Sequence, residues 1–171
     1  MQTSMHGWHL AEMNVARAIA APGGPELAEF TGALAAINAL ADAAPGFVWR
    51  FAGPDPDAPA AVAAADPLLL LNLSVWESAE ALFDYVYRSA HTALMLKRRQ
   101  WFEKPSQPHM VLWWVPAGQR PGLDEGLARL ERLRRDGPTP EAFTFKQRFP
   151  PPGVDGPAED MRPEPYCSGW K

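Results

Sequence analysis

The sequence predicts a single α+β domain with its elements in the order strand, helix, strand, strand, helix, strand, extended by a further helix and a tail. Three observations point there. Runs of helical periodicity alternate with short apolar runs of strand length in that order. The 171 residues are enough for one hydrophobic core and too few for two. The 19 prolines gather in the connections and the tail, where they interrupt nothing regular.

Trp8 to Ala16 reads as the first strand, closed by Pro22-Gly23-Gly24-Pro25. The first helix opens at Pro25, with Glu26 and Glu29 where the helix dipole favours anions. Leu27, Phe30, Leu34, Ile37 and Ala41 recur at spacings of three and four, which makes one buried helix face. Pro45-Gly46 stops it, and Phe47 to Phe51 forms a short second strand. The stretch from Ala52 to Pro67, rich in Pro, Asp and Ala, is expected to be a mobile insertion. Leu68 to Trp76 is the third strand. Ser78 caps a helical stretch from Ala79 to about Phe102, with a break expected near Ser89. Met110 to Val115 is the fourth strand, completing the split βαβ, or ferredoxin-like, order. A third helix covers Leu123 to Arg135, with Gly137 suited to its C′ position. The domain is expected to span residues 1–149, and the Pro-rich tail 150–171 to run extended.

Composition excludes several function classes. A net charge of −4 offers no basic surface to nucleic acid or anionic lipid. No apolar run approaches a membrane span, and Met1 to Leu10 does not resemble a signal peptide. The single cysteine, Cys167, fits a reducing compartment, so a cytoplasmic location is expected. His6 and His9 lie near the chain's start, and no cluster of His, Cys, Asp or Glu has the spacing of metal ligands. Glycine-rich phosphate loops, nucleophile elbows and dinucleotide fingerprints are likewise missing from the sequence.

Strands three and four do not alternate cleanly between apolar and polar: Leu69, Leu71, Leu73 and Val75 stand against Leu68, Leu70, Asn72, Ser74 and Trp76, and Val111, Trp113 and Val115 against Met110, Leu112 and Trp114. Both sheet faces therefore need a cover. A second subunit over the all-aliphatic face predicts a homodimer; the alternative is that the third helix and the tail fold back over it.

Several blocks carry a resemblance: Trp8–Arg17, Ile37–Leu40, Pro45–Arg50, Asn72–Ser78, Tyr87–His91, Trp101-Phe102, Leu112–Gly118 and Gly137–Phe145. Together they resemble a bacterial family, domain of unknown function 3291, over most of residues 8–149. The family is similar to the dimeric α+β barrel proteins, among them antibiotic-biosynthesis monooxygenases, haem-degrading enzymes and small isomerases and cyclases. The resemblance implies a barrel fold with a pocket, and leaves the reaction open.

Candidate chemistry then follows. His91 is read either as a neutral general base, with Tyr87 and Arg88 four and three residues before it on the same helical surface, or as a structural helix histidine. Asn72 and Ser74 share a strand face with Trp76, and with Asn14 could orient a ligand carbonyl or phenol; equally, they could satisfy neighbouring backbone. Trp49, Trp76, Trp101 and Trp114, with Trp113, are candidates for a pocket wall or for core. Arg17 and Arg50 could reach a ligand anion, although a solvated strand-end arginine is favoured. The leading expectation is a cofactor-independent, monooxygenase-like enzyme acting on a small aromatic or polyketide-like molecule. His91, Arg88 and Asn72 would act on it, and Trp49, Trp76, Trp114, Asn14, Tyr87 and Trp101 would bind it. An isomerase or cyclase in the same pocket, or a small-molecule-binding protein without catalysis, are the alternatives. No metal and no cofactor are expected; haem would need His91 or His109 as its axial ligand.

Overall fold

A computed structural model of the chain describes residues 7–63 and 65–161; His6 and Cys167 lie outside the described residues. Its centre is a pair of long antiparallel strands, β1 (Trp8–Arg17) and β4 (Asp66–Trp76), in register from Leu10 opposite Trp76 to Arg17 opposite Leu69. Strand β5 (Met110–Pro116) flanks β1, and β2 (Phe47–Arg50) flanks β4, giving the order β2-β4-β1-β5. Helix α1 (Ala28–Asp42) joins β1 to β2, while α2 (Ala79–Arg88) and α3 (His91–Leu96) join β4 to β5. Helix α4 (Leu123–Asp136) follows β5. The predicted order and the additional helix are both present. The Ser78 hydroxyl accepts from the Ala81 N–H at 3.1 Å, and Gly137, at φ +73°, ends α4.

The Ala52–Pro67 stretch departs from expectation. Strand β3 (Ala60–Ala63) forms within it and pairs with β4, Ala60 opposite Leu71 and Ala61 opposite Leu70. Asp66 and Pro67 already belong to β4. Small Ala side chains around Val62 suit a strand at the sheet edge, and Pro59 precedes the strand, where its missing N–H costs no ladder bond. Because β1 occupies the other edge of β4, β2 and β3 share one edge and form a broken border strand. Residues 52–59 leave the sheet between them.

The two sheet faces have different covers. Ala11, Met13, Val15, Leu71, Leu73, Val75, Val111 and Trp113 meet Leu130 and Leu133 of α4 on one face. Gly126 lets α4 close on β1, since a Cβ there would stand 2.4 Å from Met13 Cε. This overturns the argument that a second subunit must cover the aliphatic face. Leu73 and Val75 are 1% and 0% exposed within the single chain. The other face looks toward α1, α2 and α3. Phe143 and Phe145 close its far end, Phe143 exchanging backbone hydrogen bonds with Leu112. Among the described residues no helix is long and apolar enough to cross a membrane.

Candidate functional site

Strand alternation sends Leu10, Glu12, Asn14 and Ala16 of β1 away from α4, and register places Ser74 beside Glu12 and Asn72 beside Asn14. These side chains, Leu10 excepted, floor a cavity of about 320 Å³, of the size that holds small organic ligands (about 300–1,000 Å³). Helix α1 roofs it. Phe30, Leu34 and Ile37, on the helix face expected to be buried, are half-buried and overhang this space. Residues 52–59 and α2–α3 complete the walls.

The floor holds a hydrogen-bonded chain. Asn14 Nδ2 donates to Glu12 Oε1 at 2.6 Å, Ser74 Oγ donates to Glu12 Oε2 at 3.2 Å, and Trp76 Nε1 donates to Ser74 Oγ at 2.9 Å. Glu12 is 3% exposed. Burial pushes its carboxyl up to about 7, against the pull of the Asn14 and Ser74 hydrogen bonds, which favour the anion. An acid with that value can accept and return a proton near neutral pH.

The opposite wall is aromatic. Tyr85 stacks on Trp76 (centroids 5.0 Å apart, 27° between planes) and leans on His91 at 4.9 Å. Burial, with Glu12 as the next cause, raises the Tyr85 phenol and keeps it protonated. His91 faces the Val86 carbonyl through Nδ1 at 3.4 Å. Burial lowers its pKa, overcoming the carbonyl's opposing effect, with Arg98 adding to the drop. Burial and Arg98 both favour the neutral imidazole. His109, at the cavity's far end, is lowered to about 4, chiefly by burial.

Of the residues expected at the site, Asn14, Asn72, Trp76, Tyr87, His91 and Trp101 line this cavity. Arg88, Trp49 and Trp114 do not. Helix α2 ends at Arg88, and Ser89 is extended (φ −120°, ψ 179°), so the three- and four-residue spacing that put Arg88 and Tyr87 under His91 no longer holds. Arg88 is exposed, bonded to Asp84 at 3.0 Å. A register shift after Phe47 aligns Trp49 with Val75, on the α4 face, beneath the Arg120 guanidinium at 5.8 Å. Trp114 shares the cavity's parity but lies past its end, its indole N–H held by the Phe149 carbonyl at 2.9 Å. Arg17 pairs with Asp66 at 2.7 Å. Arg50, in contrast, lines the cavity with its side chain only 16% exposed.

Sequence reading passed over Glu12 and Tyr85. For Glu12 a signal existed: an acid between Ala11 and Met13 on the strand that βαββαβ order makes central, with the parity of Asn14. Among the described residues no group of three or more His, Cys, Asp or Glu is placed to hold a metal.

Three solved structures are similar to this chain. They are SnoaB, a cofactor-independent oxygenase from Streptomyces nogalater (17% identity, 66% of this chain and 95% of that one, TM-score 0.44); NE2512, a protein of unknown function from Nitrosomonas europaea (18%, 68% and 98%, 0.43); and a protein provisionally assigned as an antibiotic biosynthesis monooxygenase from Chloroflexus aurantiacus J-10-fl (17%, 67% and 98%, 0.40). No curated protein matches the chain significantly. Family membership comes from the sequence, in which residues 9–159, from β1 to the Arg148–Glu159 bridge, match one profile along their length. The chain belongs to the family described as domain of unknown function DUF3291.

Proposed function

We propose that the protein is a small monooxygenase-like acid–base enzyme that deprotonates an aromatic or polyketide-like molecule and lets the resulting anion react with dioxygen, without a cofactor. The observation that carries this reading is Glu12: a carboxyl buried in a cavity wall, held by Asn14 and Ser74, with a pKa near 7. Structural carboxylates are seldom left in such a place without a cation. Glu12 takes the proton from an acidic C–H, and the C–H electron pair enters the conjugated system. One electron passes to dioxygen, and the substrate radical and superoxide join as a peroxide. Glu12 returns its proton to that peroxide, which loses water. A CH₂ group and O₂ become C=O and H₂O, with all electrons supplied by the substrate.

Asn72, whose side chain has no hydrogen bond within the described residues, orients a substrate oxygen. Trp76, Trp101 and Tyr87 bracket the flat body. His91, neutral and half-buried, serves as a second acceptor in the wall, a smaller role than the general base read from sequence. The same base could return the proton to another carbon, which would make the enzyme an isomerase or cyclase. A homodimer is also part of this proposal. Val48, Trp49, Phe51 and Val62 are partly buried against the α4-side core and would be covered by a second copy.

The test follows deuterium exchange into enolisable ketones and phenols, alongside oxygen uptake. Glu12→Gln should slow exchange at least about 100-fold while still binding ligand. Unchanged exchange in that variant would refute the assignment. Exchange without oxygen uptake would favour the isomerase, and binding with neither would leave a binding protein.

A further inference from the structure

We infer that Arg50 is the oxyanion-binding residue of this cavity, and that the molecule it serves is an enolisable ketone or a phenol, its oxygen toward the β2–β4 edge and its acidic hydrogen toward Glu12. The inference rests on reading the cavity as an acid–base site.

Three adjacent strands place the groups. Arg50 of β2 pairs with Ser74 of β4, and Ser74 pairs with Glu12 of β1, so all three lie in one row across the cavity face. At about 4.8 Å per strand, the Arg50 and Glu12 backbones stand about 10 Å apart. That spacing leaves the row's centre for a small molecule that meets both side chains. Arg50 is also fixed in place. Its Nε and Nη2 bond the Asp42 carboxylate at 2.9 and 3.4 Å, and Nη1 reaches the Pro56 carbonyl at 3.4 Å. A guanidinium has five N–H bonds. Three are engaged this way, and the remaining two, one on each terminal nitrogen, lie on a side chain that lines the cavity.

Asp42 offsets the charge of Arg50, so a neutral carbonyl or phenol meets a balanced pair and no isolated cation. Proton removal changes this. The proton moves to a Glu12 oxygen. In a ketone the C–H electron pair becomes the C=C bond and the carbonyl π pair settles on oxygen. The negative charge thus leaves Glu12 and appears on an oxygen beside Arg50, where preorganised donors favour the transition state over the ground state. The other titratable or charged groups lining this cavity are Tyr85 and Tyr87 from α2, His91 from α3, Arg98 in the turn that follows it, and His109 ahead of β5. Glu12, Arg50 and Tyr85 all line this one cavity.

The experiment titrates bound 4-nitrophenol, whose coloured phenolate reports its own ionisation, in a Glu12→Gln background so that only the probe titrates. Arg50→Met should weaken phenolate relative to phenol binding at least tenfold, raising the bound probe's pKa by about one unit or more. Asp42→Asn should move it the opposite way, and Arg50→Lys should keep part of the effect. A purely structural Arg50–Asp42 pair would make both variants shift alike, or neither. That result overturns the inference, as does failure of the probe to bind. The titration needs no turnover, so its outcome is separate from the deuterium-exchange test of Glu12.

Discussion

Replacing Glu12 with Gln should make the protein more stable at alkaline pH, and by an amount the structure sets. The Glu12 carboxyl titrates near 7 when folded, against an ordinary value of 4.5. Between those two values the unfolded chain has released a proton that the folded chain still holds. Stability therefore falls as pH rises through this window, at about 1.4 kcal/mol per unit, and levels off above pH 7. Over the 2.5 units the loss approaches about 3 kcal/mol, as an upper bound. A Gln side chain keeps the size and can still accept from Asn14, while Ser74 turns its hydroxyl to accept the new amide. The variant lacks the ionisable group and so lacks this loss. Urea unfolding of both proteins from pH 4.5 to 8.5 measures it, and every other titration cancels in the difference. The two curves should meet near pH 4.5 and separate steadily to about pH 7, with the variant above. Parallel curves would show that Glu12 ionises normally in the folded state and would remove the basis for its role as a base.

Three further outcomes are expected. His109, lowered to about 4 mainly by burial and further by Arg98 and Arg134, is neutral in the fold. Stability should fall as pH drops from 6.5 toward 4, by about 2 kcal/mol at this partly open site, and urea titrations of His109→Gln should lack that component. Gly46 has φ +79°, and an added Cβ would stand 2.5 Å from the Ala81 Cβ on α2, so Gly46→Ala should cost about 3 kcal/mol; Gly137→Ala, at φ +73° with nothing within 4 Å, should cost about 1, both read by chemical denaturation. Sedimentation at micromolar concentration should show a dimer that Val62→Glu splits, whereas Leu73→Glu should unfold the chain, Leu73 being buried within it.

Period and punctuation made the four main strands and the helices legible, since each buries a face that its sequence declares. The break at Ser89 was also visible. What it did to His91 and Arg88 was not, because one extended residue resets the angular relation of every side chain beyond it. Trp49 was misplaced for a similar reason: the register shift in β2 changes which face a parity argument assigns. Strand β3 escaped because Ala and Pro carry little strand propensity, and its pairing depends on an edge of β4 that exists only in three dimensions. The polar floor was half-legible. Asn14, Asn72 and Ser74 stood out as amides and a hydroxyl among aliphatic residues, yet Glu12 passed as an ordinary strand charge. Its significance depends on burial by α1 and α2, which no local pattern reports.

The broken border strand carries a consequence for variation among relatives. Strands β2 and β3 each hold their own stretch of β4, so the segment between them is anchored at both ends independently of its length. A flexible loop that doubles in length adds only about 0.6 kcal/mol of closure entropy. Residues 52–59 can therefore be exchanged, shortened or extended while the sheet and its row of polar groups stay in register. The protein thus has a cassette at the mouth of its cavity. Grafting loops of different length and bulk there should retune which molecules enter, provided the graft keeps a backbone carbonyl where Pro56 now accepts from Arg50.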